Sequence, residues 1–126
     1  MFTHVVVGSN DIEAAKKFYD STLGALGIGP GAQMGDSRVI YRNGSGMLIV
    51  TRPINGQPAT FANGGTIGFA AATPEQAKAW HEAGCANGGA SCENPPGVRE
   101  MGAKIYLAYL RDPDGNKLCA MCPMPS

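Results

Sequence analysis

The sequence predicts one α+β domain assembled from two similar modules, and three observations carry that prediction. Slid by sixty-two positions, His4-Val-Val-Val-Gly-Ser-Asn-Asp-Ile-Glu-Ala-Ala-Lys-Lys-Phe-Tyr falls on Thr66-Ile-Gly-Phe-Ala-Ala-Ala-Thr-Pro-Glu-Gln-Ala-Lys-Ala-Trp-His. Glu13 then meets Glu75, Ala15 meets Ala77, Lys16 meets Lys78, and Phe18 meets Trp80, which marks an internal repeat. Each copy passes from a β-branched or aromatic run straight into helix-start chemistry. Each half then closes on a hairpin pattern, one around Asn43-Gly-Ser-Gly46 and one around Asp112-Pro-Asp-Gly115. A chain of 126 residues has room for one modest core, and its 18 glycines suit many turns and short elements.

The first strand follows the N-terminus closely, through His4-Val-Val-Val. Asn10 or Asp11 can cap the helix after it, with Glu13 in the opening turn. Ile12, Ala15 and Phe18 or Tyr19 recur at helical spacing, and Gly24 and Gly27 end the run. Two strands follow, Arg38–Arg42 and Met47–Arg52, on either side of the Asn43–Gly46 turn. Residues 53–65 are polar and carry Gly and Pro, so they read as a linker. In the second copy Thr73 caps, Pro74 takes the first helical position, Gln76 completes a capping box, and Gly88-Gly89 end the helix.

Ala90–Glu93 and a Pro/Gly-rich loop lead to Lys104–Arg111, the Asp112–Gly115 turn and a last strand carrying Cys119. On Lys104–Arg111 alternation puts Leu107 and Tyr109 on one face and Tyr106, Ala108 and Leu110 on the other. The order is βαβββ twice: module one about 1–52, linker 53–65, module two about 66–126. Overlaying the two turns leaves seven extra residues in the second half, assigned to Asn94–Ala103.

Ten basic residues balance ten acidic ones and form no run, which argues against nucleic acid and anionic lipid as partners. No apolar stretch is long enough to span a membrane, and no basic-then-apolar leader opens the chain. Four cysteines in that setting are expected as reduced thiols in a cytoplasmic protein. Cys119-Ala-Met-Cys122 has redox-motif spacing, but residues three apart on a strand face opposite ways and no second pair accompanies them. Gly24–Gly29 follows a helix rather than opening one, so it is no dinucleotide loop. Gly44-Ser-Gly46 is a turn rather than a nucleophile elbow.

The doubled βαβββ layout, the helix entry Asn10-Asp-Ile-Glu-Ala-Ala-Lys-Lys-Phe-Tyr and the hairpin run Arg111-Asp-Pro-Asp-Gly-Asn-Lys117 resemble the glyoxalase/bleomycin-resistance/dioxygenase group, the vicinal oxygen chelate superfamily. The resemblance spans essentially the whole chain. It implies two modules curled into a cup-shaped, incomplete β-barrel with helices outside and a ligand site in the hollow. In metal-dependent members, ligands come from the first and last strands of each module and leave open positions for two neighbouring substrate oxygens.

Carried over by position, those ligand sites fall on His4, Thr66, Cys119 and Val50, or Ile49 if the register is off by one. One imidazole, one hydroxyl, one thiol and one alkyl group make no hard-cation site. The expectation is therefore no metal and no cofactor. Zn, Mn, Fe or Ni held by His4 and Cys119 is the alternative, and it belongs to a lyase or dioxygenase resembling lactoylglutathione lyase. The ligand-lining candidates are His4, Tyr41, Val50, Thr66, Leu107, Tyr109 and Cys119, with Tyr109 resembling a substrate-contact position of fosfomycin-resistance members.

Each of these has a plainer reading. His4 can be a strand histidine satisfied by a hydroxyl such as that of Thr66, Cys119 a small buried apolar group, and Tyr109 and Tyr41 core aromatics. His4 and Cys119 also form the one candidate catalytic pair, in which the imidazole would activate the thiol. Arg52, Arg99 and Arg111 can meet an anion or remain solvated. The expected activity is binding of a small organic ligand, by a homodimer, with Asn94–Ala103 as a flap over the mouth.

Overall fold

The computed structural model describes residues 1–125; Ser126, the last residue of the predicted second module, lies outside them. Module one runs β1 (His4–Gly8), α1 (Ile12–Ala25), β2 (Ala32–Met34), β3 (Arg38–Asn43) and β4 (Gly46–Thr51). Module two runs β5 (Ile67–Ala70), α2 (Pro74–Ala86), β6 (Ala90–Ser91), β7 (Gly97–Glu100), β8 (Lys104–Arg111) and β9 (Lys117–Pro123). Each module builds its own sheet, in the orders β1-β4-β3-β2 and β5-β9-β8-β6, with β7 also on β8. The first strand of each sheet lies parallel to the last, and the remaining pairs are antiparallel. No closed barrel forms among the described residues. No helix is long and apolar enough to cross a membrane among the described residues.

The helices form where capping and periodicity place them. Asp11 is the cap of α1, accepting from the Ala14 N–H at 3.1 Å. Thr73 accepts from Gln76 N–H at 3.1 Å, and the Gln76 side chain reaches back to the Ala72 N–H at 2.8 Å. At the far ends, Gly27 and Gly88 take φ of +87° and +95°, which lets Ile28 N–H bond Leu23 O and Gly89 N–H bond Gly84 O.

One core joins both modules. Ile12, Ala15, Phe18, Tyr19 and Leu23 of α1 and Ala77 and Trp80 of α2 pack with Val39, Tyr41, Leu48 and Val50 of the first sheet and Ala108, Leu110, Leu118 and Ala120 of the second. The helices touch through glycine. A Cβ on Gly84 would lie 2.3 Å from Leu110 Cδ1 and 3.2 Å from Phe18 Cε1. Burying Phe18, Leu23 and Trp80 contributes at most about 1.5–3 kcal/mol each. Because every helix contact falls on one face of each sheet, the opposite face of each is left helix-free.

The registers correct one expectation. Val6 pairs with Ile49 and Gly68 with Cys119, so the duplication matches Cys119 to Ile49 and Val50 to Ala120. The reason is the turn. Asn43 pairs with Gly46 around two residues, whereas Asp112 N–H bonds Asn116 O around three. The second hairpin therefore carries one residue more. The extra segment 94–103 is no bare loop either: Gly97–Glu100 pairs with Lys104–Leu107 as β7, with Met101 exposed at its tip.

Candidate functional site

Alternation along the strands sorts every sheet residue to the helix side or the free side. On the second sheet the free face carries a row running Gly68, Cys119 and Tyr109 across β5, β9 and β8, and the Cys92 N–H continues it with a bond to Tyr109 O at 3.4 Å. Met121 and Leu107 form the next row, Lys117 and Arg111 the one before. Lys117 Nζ sits 5.3 Å from the centre of the Tyr109 ring and pairs with the Glu93 carboxylate. Glu93 holds φ at +56°, alone among the described non-glycine residues in the left-handed region. That strain aims a carboxylate at the one lysine on this face of β9.

These groups tune one another. Burial pushes the Cys119 and Cys92 thiols up, with the Lys117 charge pulling against it in both. Burial and then the Cys119 and Glu93 charges raise the Tyr109 phenol, while the bond to Glu93 raises Lys117. At neutral pH the face thus presents neutral thiols, a phenol that donates, the Lys117–Glu93 pair and Arg111, beside apolar Leu107 and Met121.

The matching row of the first sheet has a different character. Val6, Ile49 and Ile40 run across β1, β4 and β3 with no polar side chain, and Val6 is 50 % exposed. His4, Met47 and Arg42 lie in the next row.

Of the sequence candidates, the structure brings Tyr109, Cys119 and Leu107 together on the free face of the second sheet. Tyr41 and Val50 leave the set, because both point to the helix side and are buried in the core. The Tyr41 hydroxyl donates to Asp20 Oδ1 at 2.7 Å, and burial and that carboxylate hold the phenol far above its ordinary value. His4 is exposed on the first sheet, its Nδ1 2.8 Å from the Thr3 hydroxyl rather than from Thr66. Thr66 is exposed just before β5, in a shallow concavity with Val6, Asn116 and Lys117.

His4 does not meet Cys119, whose neighbouring charges are Lys117 and Glu93, so the pair cannot act as base and nucleophile within one chain. Among the described residues no three His, Cys, Asp or Glu side chains converge to hold an ion. The arginines are spent on backbone: Arg52 on Asn10 O, Arg99 on Pro95 O, and Arg111 on Gly115 O while stacked 5.0 Å from the Phe61 ring.

Sequence reading missed Lys117, Glu93 and Cys92. Lys117 was legible, two residues before Cys119 on the same face. Glu93 carried no local signal, because its role depends on a backbone angle that only the folded loop imposes.

The Glyoxalase/Bleomycin resistance protein/Dioxygenase superfamily model matches residues 1–120. The chain is 61% identical to a glyoxalase/bleomycin resistance protein from Albidiferax ferrireducens T118, with a TM-score of 0.94 over 97% of this chain and 98% of that one. A glyoxalase-related enzyme from Fulvimarina pelagi superposes with a TM-score of 0.76 at 16% identity, over 97% and 87% of the two chains. Lactoylglutathione lyase from Agrobacterium tumefaciens does so with 0.67 at 20% identity, over 97% and 92%. The last two share the fold alone. No curated protein matches the chain. With two similar modules, βαβββ in the first and one strand more in the second, and a family match over nearly its whole length, the chain belongs to the glyoxalase/bleomycin resistance protein/dioxygenase superfamily.

Proposed function

We propose that this protein binds a small organic ligand on the free face of its second sheet, without a resident metal. The observation that carries the reading is Lys117, held by Glu93 over the Tyr109 ring and beside Cys119, on a face otherwise lined by Leu107 and Met121. A ligand with a flat apolar body and one polar or anionic group fits that chemistry, stacking on Tyr109 and meeting Lys117. The donor set supports the metal-free reading. The free faces offer one imidazole, His4, on the first sheet, and on the second the Cys119 thiol, which burial pushes up.

A homodimer completes this proposal. The Val6–Ile49–Ile40 row is apolar with Val6 50 % exposed at its edge, and Met121 on the other sheet is 42 % exposed, so the first sheet of one copy can cover the second sheet of another and close a cleft. One wall of that cleft is then apolar and the other polar. A cytoplasmic setting agrees with the four free cysteines.

The test is a thermal-shift screen of the purified protein against divalent metals, thiol adducts, aromatic diols and antibiotics. An organic ligand should raise the midpoint, and Tyr109→Ala and Lys117→Met should each abolish that rise. Stabilisation by a stoichiometric metal, or by ligands indifferent to both substitutions, overturns the reading. Sedimentation at micromolar concentration should show a dimer that Val6→Asp dissociates.

A further inference from the structure

Three charged side chains bear on Tyr109, and their signs do not cancel. Lys117 is matched by Glu93. Arg99 is the third. Strand pairing sets Gly97 opposite Leu107 and Arg99 opposite Ile105, so Arg99 stands on the same free face as Tyr109. From there its guanidinium doubles back along β7 in the direction of Tyr109. A Cβ on Gly97 would lie 3.1 Å from Arg99 Nη1, and Nη2 donates to Pro95 O. Burial and Cys119 raise the Tyr109 phenol most. Beyond them Glu93 raises it while Lys117 and Arg99 lower it, so all three charges reach that hydroxyl.

Arg99 joins no ion pair among the described residues. Its bonds to Pro95 O and Val98 O use part of the guanidinium and neutralise none of its charge. Arg111 is on this face too, but it turns to the hairpin, where it donates to Gly115 O and stacks on Phe61. Two cations against one carboxylate leave a single positive charge around Tyr109. A carboxylate on a planar body can answer it with two parallel hydrogen bonds from Arg99.

On the ligand face proposed above, and resting on that reading, we infer that Arg99 and Glu93 set the charge selectivity: the site takes a planar monoanion, with its one carboxylate on Arg99 and a neutral hydrogen-bonding group on the Lys117–Glu93 pair. Glu93 acts as a built-in anion. It occupies Lys117, so a second ligand carboxylate arriving there meets a like charge instead of an open ammonium.

The experiment is a calorimetric titration of the intact protein with compounds of one shape and increasing negative charge: terephthalamide, 4-carbamoylbenzoate and terephthalate. The monoanion should bind about tenfold more tightly than the neutral diamide, and about tenfold more tightly than the dianion. Arg99→Gln should erase the lead over the diamide, and Arg99→Lys should keep most of it. Glu93→Gln, which releases Lys117, should make the dianion the tightest of the series. Each readout is a ratio within one variant, which a general loss of stability does not mimic. Equal binding of diamide and monoanion, a lead that survives Arg99→Gln, an unchanged order in Glu93→Gln, or no saturable binding at all would each overturn the inference. Tyr109→Ala separates it from the reading beneath it. Charge-blind binding that Tyr109→Ala abolishes keeps the ligand face and sinks the selectivity, whereas charge-ordered binding that survives Tyr109→Ala sinks both.

Discussion

The Tyr19 hydroxyl on α1 donates a 2.6 Å hydrogen bond to Asp112 Oδ2 in the last hairpin, joining a helix of one module to a turn of the other across 93 residues of sequence. Asp112 also accepts from the Asp114 N–H, the Asn116 N–H and Asn116 Nδ2, each at 2.9 Å. The Asp-Pro-Asp-Gly-Asn run is thus a latch as well as a turn. Tyr19→Phe should cost about 1–2 kcal/mol in urea unfolding with unchanged m. Asp112→Ala should cost about 3 kcal/mol or more, since it strands several buried donors at once. Equal costs for the two would show that Asp112 serves only Tyr19.

Glycine substitutions in the two helices should have opposite signs. Gly84→Ala forces a methyl to 2.3 Å from Leu110 Cδ1, so overpacking of about 1–3 kcal/mol outweighs the gain in helix propensity. Gly24→Ala meets nothing within 4 Å and should stabilise by about 0.5–1 kcal/mol. Thermal midpoints moving the same way in both variants would contradict the packing described.

Thiol reactivity separates binding from thiol catalysis. With burial raising Cys119 and Cys92, iodoacetamide near neutral pH should label exposed Cys85 first and Cys119 about tenfold more slowly. Peptide mass spectrometry that finds Cys119 labelled fastest would reinstate it as a nucleophile.

Two groups contribute to the acid limb of stability. Burial opposes ionisation of Asp20, yet Gly31 N–H, Lys16 and Tyr41 together hold its carboxyl below the ordinary value. Its contribution is present above the unfolded value of about 3.9 and is lost as pH falls through the lower folded one. The stability gap between the wild type and Asp20→Asn should therefore close below about pH 3.9. Burial lowers His81, with Glu82 opposing, so the unfolded chain takes up the proton first. Stability should begin to fall below about pH 6.5, and His81→Asn should remove that slope.

Most of the local structure was legible. Asp11, Thr73, Pro74 and the glycines after each helix act as caps and stops in the structure, because those signals depend on backbone groups within a few residues. The split of Leu107 and Tyr109 from Tyr106, Ala108 and Leu110 also holds, since strand alternation is a property of the chain itself. Tyr41 and Val50 were misassigned for a related reason. Alternation says that two faces exist, but only the position of α1 says which one is buried.

The amino-acid order alone determined the duplication, the helix boundaries, the hairpins and hence the superfamily architecture, because each is written in short-range steric and hydrogen-bonding preferences. Tertiary structure decided the rest: Cys119 aligned with Ile49 through one additional turn residue, Glu93 drawn on to Lys117, and the Tyr19–Asp112 latch. These arise between segments far apart in the chain. There, a one-residue difference in loop length changes which side chains meet, and no local propensity records it.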